Sequence, residues 1–136
     1  MLDKYIKKEN NYYVLENVTF RFGECDCGKE CSAVISTDTT EIEIPDYINI
    51  IGNSAFEKCE KIKIIVIPEN VCFINCCAFY NCTQLEKIVI KNPETIISSK
   101  AFTNCNNLTI YAMPNSLVNE YAIKNGFAFK DIGLYE

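Results

Sequence analysis

Residues 78–90 have the sequence AFYNCTQLEKIVI, and the pattern of this stretch recurs along the chain in steps of 23 residues. The first series in register is an Ala-Phe pair: Ala55-Phe56, Ala78-Phe79 and Ala101-Phe102. A cysteine series and an aliphatic series keep the same step: Cys59, Cys82 and Cys105, then Ile62, Leu85 and Leu108. Several classes of position that stay in register over three copies indicate a repeat architecture.

An extended segment belongs to each copy of the repeat. The four segments are Ile42-Glu43-Ile44, Ile65-Val66-Ile67, Ile88-Val89-Ile90 and Tyr111-Ala112-Met113. β-Branched, alternating residues of this kind favour a half-buried strand, and Pro45, Pro68 and Pro114 stand where such a strand must stop. The Ala-Phe-x-x-Cys part between strands predicts a turn and a short helical segment. One coil cannot bury both its strand and its phenylalanine, so we expect a solenoid of stacked coils with parallel strands and a column of Phe56, Phe79 and Phe102.

The motif Ala-Phe-x-x-Cys-x-x-Leu/Ile-x-x-Ile-x-Ile-Pro at this spacing resembles the BspA-type leucine-rich repeats. The resemblance covers about residues 39–131. It implies a short, right-handed α/β repeat solenoid. It also implies a non-enzymatic role in protein–protein contact and adhesion, as in the bacterial surface proteins and some protist proteins that carry these repeats. Ser32-Ala33 stand where the first Ala-Phe pair should be, so we expect the first coil to be incomplete.

Both ends of the chain carry signals for capping structures. Residues 12–15 and 18–22 flank Glu16-Asn17 and predict a β-hairpin. Asn115-Ser116 predict a helix from about Leu117 to Lys124, followed by a last strand at 127–129. We therefore expect one structural domain, with an N-terminal cap over 1–38, repeats over 39–114 and a C-terminal cap over 115–136.

Composition and charge exclude several classes of function. The 136 residues carry a net charge of −5, which argues against nucleic acid and against an anionic membrane surface as partners. The chain has no histidine, no glycine-rich phosphate loop and no converging acid–base pair, so we expect neither an enzyme nor a cofactor. The first ten residues lack the apolar run of a secretory signal, which favours a cytoplasmic location. The family resemblance instead implies the cell surface if the chain is part of a longer protein.

Cys25, Cys27 and Cys31 form the one local cluster that resembles a metal site. Three thiolates could take zinc if a fourth ligand came from elsewhere, but the usual paired spacing is missing. The acidic residues beside them, Glu24 and Asp26 among them, disfavour thiolates. The expectation is a cap segment with ordinary thiols and no metal, with a zinc site as the alternative.

The cysteines of the repeat have a different interpretation. Stacked side chains at Cys59, Cys82 and Cys105 point in parallel into the core, so we expect small buried thiols that donate weakly to turn carbonyls rather than disulfides. Cys72, Cys76 and Cys77 occupy positions that the other copies fill with polar residues, and we expect them to be free.

A binding surface is expected on the concave face of the strands. Applied at a constant step of 23, the alternation predicts that five apolar residues point outward: Ile64, Val66, Val89, Ile110 and Ala112. The charged residues expected around them include Glu41, Glu43, Lys63 and Lys87. An apolar centre with a charged rim is typical of interaction sites. Another part of the chain could cover this face, or a second copy could do so.

Three functions follow from these patterns. The first is a protein-binding module that uses the concave face to bind a protein partner. The second is a structural or self-associating unit that forms a homo-oligomer. The third is a small thiol or zinc protein built on Cys25, Cys27 and Cys31.

Overall fold

The computed structural model describes residues 6–7, 12–15, 18–25, 28–37 and 39–135. Within these ranges lie twelve β-strands and one α-helix. The first six strands are β1 (Ile6–Lys7), β2 (Tyr12–Leu15), β3 (Val18–Cys25), β4 (Gly28–Thr37), β5 (Glu41–Glu43) and β6 (Ile50–Ile51). The remaining elements are β7 (Ile64–Ile67), β8 (Phe73–Ile74), β9 (Lys87–Ile90), β10 (Ile96–Ile97), β11 (Thr109–Ala112), α1 (Leu117–Lys124) and β12 (Ala128–Asp131).

The strands form two sheets, and the chain alternates between them from β5 to β10. One sheet has the order β12-β11-β9-β7-β5, and all its strands are parallel. The other has the order β1-β2-β3-β4-β6-β8-β10, antiparallel from β1 to β4 and parallel from β4 to β10. The coils that begin at β5, β7 and β9 therefore each give one strand to each sheet, whereas β11 is followed by α1. The chain is a parallel-strand β-solenoid of about four coils.

The core lies between the two sheets and consists of stacked, equivalent side chains. The residues of β5, β7, β9 and β11 that point inward in register are Ile42, Ile65, Ile88 and Ile110, none of them more than 5% exposed. The three phenylalanines form the expected column, with ring centroids 5.0 Å apart from Phe56 to Phe79 and 5.2 Å apart from Phe79 to Phe102. The ring planes are nearly parallel, at 18° and 8°, so the three rings are stacked.

The Ala-Phe-x-x-Cys segments are turns, and the expected helical segment is wrong. Hydrogen bonds between residues three positions apart close these turns. Ala78 N–H donates to the Asn75 carbonyl at 3.2 Å, and Cys82 N–H donates to the Phe79 carbonyl at 3.2 Å. Cys77 and Asn81 have φ of 59° each, and a residue in the left-handed region interrupts a right-handed helix. The freed amides bond to the next coil instead, since Phe79 N–H donates to the Ala101 carbonyl at 2.8 Å.

The N-terminal cap is an antiparallel meander. Strands β2 and β3 pair antiparallel with Leu15 opposite Val18, which confirms the two strands of the expected hairpin; Glu16 and Asn17 lie outside the described residues. Strand β4 contains Ser32-Ala33, with Ala33 opposite Arg21. The segment expected to be an incomplete first coil within the cap pairs antiparallel with β3, and it joins the solenoid through parallel pairing with β6.

The C-terminal cap closes the phenylalanine column. Helix α1 begins at the predicted residue, and the Ser116 hydroxyl caps it by accepting from Asn119 N–H at 3.0 Å. Tyr121 and Phe127 meet the Phe102 ring edge-on, at 6.3 Å and 5.8 Å. The final strand, β12, starts one residue later than predicted. No helix among the described residues is long and apolar enough to cross a membrane.

We expect Phe79→Ala to reduce the free energy of unfolding by about 3–5 kcal/mol, because it empties the middle of the column. Phe102→Ala should cost a similar amount, since the rings of the C-terminal cap pack on its outer side. Urea melts of both variants would measure this. A loss below about 1 kcal/mol for Phe79→Ala would contradict the stacked core.

We expect Lys58→Asn to stabilise the protein by about 0.5–1 kcal/mol. Lys58 has φ of 61°, and its equivalents Asn81 and Asn104 have φ of 59° and 66°. Asparagine tolerates this conformation better than lysine. The Asn104 amide also donates to the Asn81 side chain at 2.6 Å, and the amide introduced by the substitution would extend this ladder by one coil. Lys58→Ala is the control in the same urea melts: it removes the lysine side chain without supplying an amide, and equal stability of the two variants would refute the expected gain.

Candidate functional site

The outward-pointing residues of the five-stranded sheet form two rows in register, here called the outer face. One row is Glu41, Ile64, Lys87, Thr109 and Ala128; the other is Glu43, Val66, Val89, Tyr111 and Lys130. They point away from the core because they alternate with the buried residues of the same strands.

Two residues predicted for this face, Ile110 and Ala112, lie in the core instead. Both are 0% exposed, and Ile110 pairs with the core residue Ile88. The cause is a contraction of the fourth coil. Lys87 pairs with Thr109, which is 22 residues further along the chain, whereas the earlier coils keep a step of 23. A constant step therefore shifts every residue of β11 to the wrong face, and the strand expected at residues 111–113 lies at Thr109–Ala112.

The hydrogen bonds show where the contraction occurs. In the second coil, Lys63 N–H and Ile64 N–H both donate to the Thr40 carbonyl, at 2.7 and 3.1 Å. The third coil repeats this with Glu86 and Lys87, which share the Lys63 carbonyl. The extra residue in each of these coils, Lys63 or Glu86, is exposed. The fourth coil goes from Leu108 to Ile110 with one residue between them and lacks that irregularity.

The outer face is buried at two residues, Val89 and Tyr111, and the C-terminal part of the chain covers the second of them. Val89 and Tyr111 point outward in register, yet they are only 2% and 6% exposed. The Tyr135 ring packs edge-on against Tyr111 at 5.6 Å, and the 3-10 turn Ile132–Leu134 lies against β11. The prediction that Val89 is exposed is therefore wrong, and at Tyr111 the alternative of coverage by the same chain is correct.

The outer face is uncovered on β5 and β7, and also on β12, where Ala128 and Lys130 are exposed. Ile64 and Val66 are half-buried neighbours on one side of β7, while Glu41 and Glu43 on β5 are exposed. Lys87 is half-buried on the opposite flank, with its Nζ 5.9 Å from the centre of the Tyr111 ring. Glu41 and Lys87 are separated by two strand spacings, about 10 Å. They therefore flank the apolar pair with opposite charges instead of neutralising each other.

The seven-stranded sheet carries a second apolar row that the sequence interpretation missed. Ile50, Phe73 and Ile96 are in register on its outward side. Ile50 is 5% exposed and Phe73 half-buried, but Ile96 is 56% exposed. These three residues keep the 23-residue step, so the repeat contained the signal. The strands there have two residues each, which is too short for alternation to be recognised.

The structure places one of the three candidate zinc ligands in the core. Cys31 is 0% exposed and packs with the apolar cluster that contains Ile51 and Ile74. The backbone of Cys25 pairs with Gly28 at the end of β3; the side chain of Cys25 and all of Cys27 lie outside the described residues. Within the described part of the chain, no group of three or more Cys, His, Asp or Glu residues is placed to hold a metal ion.

The repeat cysteines are free thiols that pack and donate within the core. Cys82 Sγ donates to the Phe56 carbonyl at 3.0 Å and Cys105 Sγ to the Phe79 carbonyl at 3.1 Å, as expected. Burial raises the pKa of Cys105 to about 11 and moves the pKa of Cys82 further upward. These thiols are therefore neutral at pH 7 and are not nucleophiles. Cys59 is only half-buried, so the expectation of full burial is wrong for this residue.

Comparison with known proteins identifies the repeat. The model of the BspA-type leucine-rich repeat region matches residues 30–134 in six copies. A leucine-rich repeat protein from Bacteroides ovatus ATCC 8483 is 20% identical with a TM-score of 0.51; the match covers 87% of this chain and 40% of that protein. A leucine-rich cell surface protein from Faecalibacterium prausnitzii A2-165 is 18% identical with a TM-score of 0.36, over 85% of this chain and 42% of that one. The chain thus spans less than half the length of these structures. No curated protein matches it.

We expect Cys82 and Cys105 to resist alkylation by iodoacetamide in the native protein, Cys59 to react at an intermediate rate and Cys76 to react first, because burial controls access to each thiol. Peptide mapping after timed pulses measures the four rates. Cys82 alkylation as fast as that of Cys76 would contradict the stacked core.

Stability should fall as the pH rises from about 9 towards 11. The folded pKa of Cys105 is raised to about 11, so the unfolded chain loses this proton at lower pH than the native state. The stability that the buried, neutral Cys105 thiol contributes is complete below the unfolded pKa of about 8.5. It is lost as the pH rises through the folded pKa of Cys105. Cys105→Ala should show a shallower decline in urea melts over this range, whereas Cys72→Ala, which removes an exposed thiol, should match the parent.

Proposed function

The chain belongs to the family of BspA-type leucine-rich repeat proteins, and from this membership we propose that it is a non-catalytic module that binds a protein partner. The proposed contact surface is the uncovered part of the outer face on β5 and β7. The observation that carries the proposal is the pair Ile64 and Val66, half-buried and flanked by Glu41 and Glu43 on one side and Lys87 on the other.

This arrangement has the composition of a protein interface. Interfaces combine an apolar centre, from which charged residues are depleted, with a polar rim that stays in contact with water. Ile64 and Val66 lie on a short, hydrogen-bonded strand between two others, so binding does not have to order them first. The energy gained from burying them is therefore not offset by a loss of backbone freedom.

The charges indicate what the partner surface must supply. Glu41 and Glu43 form an acidic flank at the edge of the sheet, and they favour a basic group on the partner. Lys87 favours an acidic group about 10 Å away across two strands. The partner that fits is a protein surface with an apolar residue between a cationic and an anionic side chain.

A self-associating unit is the second candidate, and a different surface favours it. Ile96 on the seven-stranded sheet is 56% exposed and lies in register with Phe73. The three apolar residues of this row can meet a second copy across a two-fold axis, and Glu30, in register with Ile50, lies at the end of the row away from Ile96. On the outer face, by contrast, two copies joined through their β5 edges would bring Glu41 and Glu43 against like charges, which destabilises a strand pair.

The test compares two matched substitutions on the two sheets. Ile64→Lys places a charge in the centre of the uncovered outer face, and Ile96→Lys places the same charge on the opposite sheet. We expect Ile64→Lys to weaken partner binding about 30-fold or more, which corresponds to about 2 kcal/mol at an interface centre. Ile96→Lys should leave partner binding unchanged.

The measurements are capture by the immobilised intact chain, then affinity for the captured protein, with thermal melts and light scattering on each variant. A folded Ile64→Lys variant that keeps its affinity would refute the proposed surface. The self-associating unit would instead be established by two results together. Light scattering would give a dimer mass for the parent and a monomer mass for Ile96→Lys, and Ile64→Lys would leave the affinity for the partner unchanged.

A further inference from the structure

Strand β12 ends the five-stranded sheet with an open edge. Within the described residues it pairs only with β11, and the turn that follows it packs back against β11. Ala128, Lys130 and Asp131 are exposed, and Phe129 is half-buried. The edge of a sheet presents backbone N–H and C=O groups with which a further strand can pair.

The hydrogen bonds of β11 determine which backbone groups of β12 face this edge. Thr109 N–H donates to the Glu86 carbonyl of the preceding coil at 2.9 Å. Successive residues of a strand direct their backbone groups to alternate sides, so the groups of Ile110 face β12. In a parallel ladder, Ile110 bonds to the two neighbours of its register partner, Phe129. The N–H and C=O of Phe129 therefore face the open edge, and those of Asp131 do so as well.

The other edge of the same sheet is protected differently. On β5 the Thr39 hydroxyl occupies the edge-facing groups of Glu41: it accepts from the N–H at 3.3 Å and donates to the carbonyl at 3.0 Å. Among the described residues, no side chain forms a hydrogen bond with the backbone of Phe129 or Asp131. Sheets avoid strand addition by blocking or covering their edges, and β12 lacks the block that β5 has.

A second copy of β12 supplies the matching groups. Two identical edges can pair antiparallel about a two-fold axis perpendicular to the sheet, which keeps the outer face on the same side in both copies. With the axis at Phe129, the N–H of each Phe129 donates to the carbonyl of the other, and the two half-buried rings meet on the inner side. Ala128 of each copy then lies opposite Lys130 of the other.

Charge and existing hydrogen bonds exclude the neighbouring registers. An axis at Lys130 would place two lysines opposite each other, and an axis at Asp131 would place two aspartates opposite each other; like charges at such positions destabilise a strand pair. An axis at Ala128 would need the Phe127 N–H, which already donates to helix α1 at 2.9 Å. Only the register centred on Phe129 pairs the edge-facing groups without a like-charge contact.

We propose that the chain forms a two-fold symmetric dimer through its β12 edges, with the two Phe129 residues at the axis. Four residues from each copy bury less than the roughly 1,200 Å² of a stable complex, so the dimer is weak and depends on protein concentration. The surface proposed for partner binding, on β5 and β7, lies towards the opposite end of the sheet. Dimerisation therefore leaves that surface open, and the inference is independent of the proposed function.

The test changes the charge at Ala128, which is exposed, so that the fold is kept. Ala128→Glu places an opposite charge against Lys130 of the second copy on both sides of the axis, and Ala128→Lys places a like charge there. We expect Ala128→Glu to lower the dissociation constant of the dimer about 3- to 10-fold and Ala128→Lys to raise it by a similar factor. Sedimentation equilibrium of the intact chain measures these constants, with a reductant present to prevent cross-linking through the exposed cysteines.

Two controls identify the surface. Ile96→Lys, on the other sheet, should leave the dissociation constant unchanged, and Ala128→Lys combined with Lys130→Glu should restore the dimer because it restores opposite charges. Hydrogen exchange gives a second readout: the Phe129 amide should exchange more slowly at high protein concentration, whereas the Lys130 amide, bonded to β11, should not change. The proposal is overturned if the parent is monomeric at every concentration, if Ala128→Glu and Ala128→Lys dimerise equally, or if Ile96→Lys abolishes the dimer.

Discussion

The spacing between coils is the constraint on which the other features depend. Neighbouring parallel strands lie about 4.8 Å apart. Hydrogen bonds between the turns of successive coils impose a similar spacing on the turns. The centroids of the phenylalanine rings therefore lie 5.0 and 5.2 Å apart, which is within the range of stacked aromatic pairs. A residue at a core position of the repeat must be compatible with an equivalent residue at this distance, which accounts for the uniform rows of alanine, phenylalanine and aliphatic residues in the core.

The same constraint creates a problem at each end of the stack, and the two ends solve it differently. At the N-terminal end the meander of β1 to β4 continues one sheet, while β5 ends the other within the described residues. At the C-terminal end, α1 and Phe127 place ring edges against the last phenylalanine. The chain then returns with Tyr135 across the outer face. The caps thus decide which surfaces remain open, and they leave the part of the outer face on β5 and β7 uncovered.

Much of the stack could be predicted from the sequence because identical positions recur at a constant step. The phenylalanine column, the thiol hydrogen bonds of Cys82 and Cys105 and the helix from Leu117 all follow from residue type and spacing. The side of the sheet on which Ile110 and Ala112 lie could not be predicted in this way. The periodicity argument assumes a constant step of 23 residues, and the fourth coil is one residue shorter. The relevant signal was local: one residue separates Leu108 from Ile110, where two separate Leu85 from Ile88. The coverage of Tyr111 by Tyr135 could not be predicted from periodicity either, because Tyr135 lies beyond the repeated positions.

The repeat also separates residues with a structural role from residues available for function. Where successive coils carry the same residue, as at Phe56, Phe79 and Phe102, stacking accounts for the choice. Where equivalent positions differ, stacking accounts only for what they have in common, namely an exposed or half-exposed place on a fixed backbone. Glu41, Ile64 and Lys87 share one position and differ in charge and polarity, so the row they form has a direction that a uniform solenoid lacks. That asymmetry allows a partner to bind in one orientation and in one register, because shifting it by a single coil would exchange the charge or the apolar side chain that it meets.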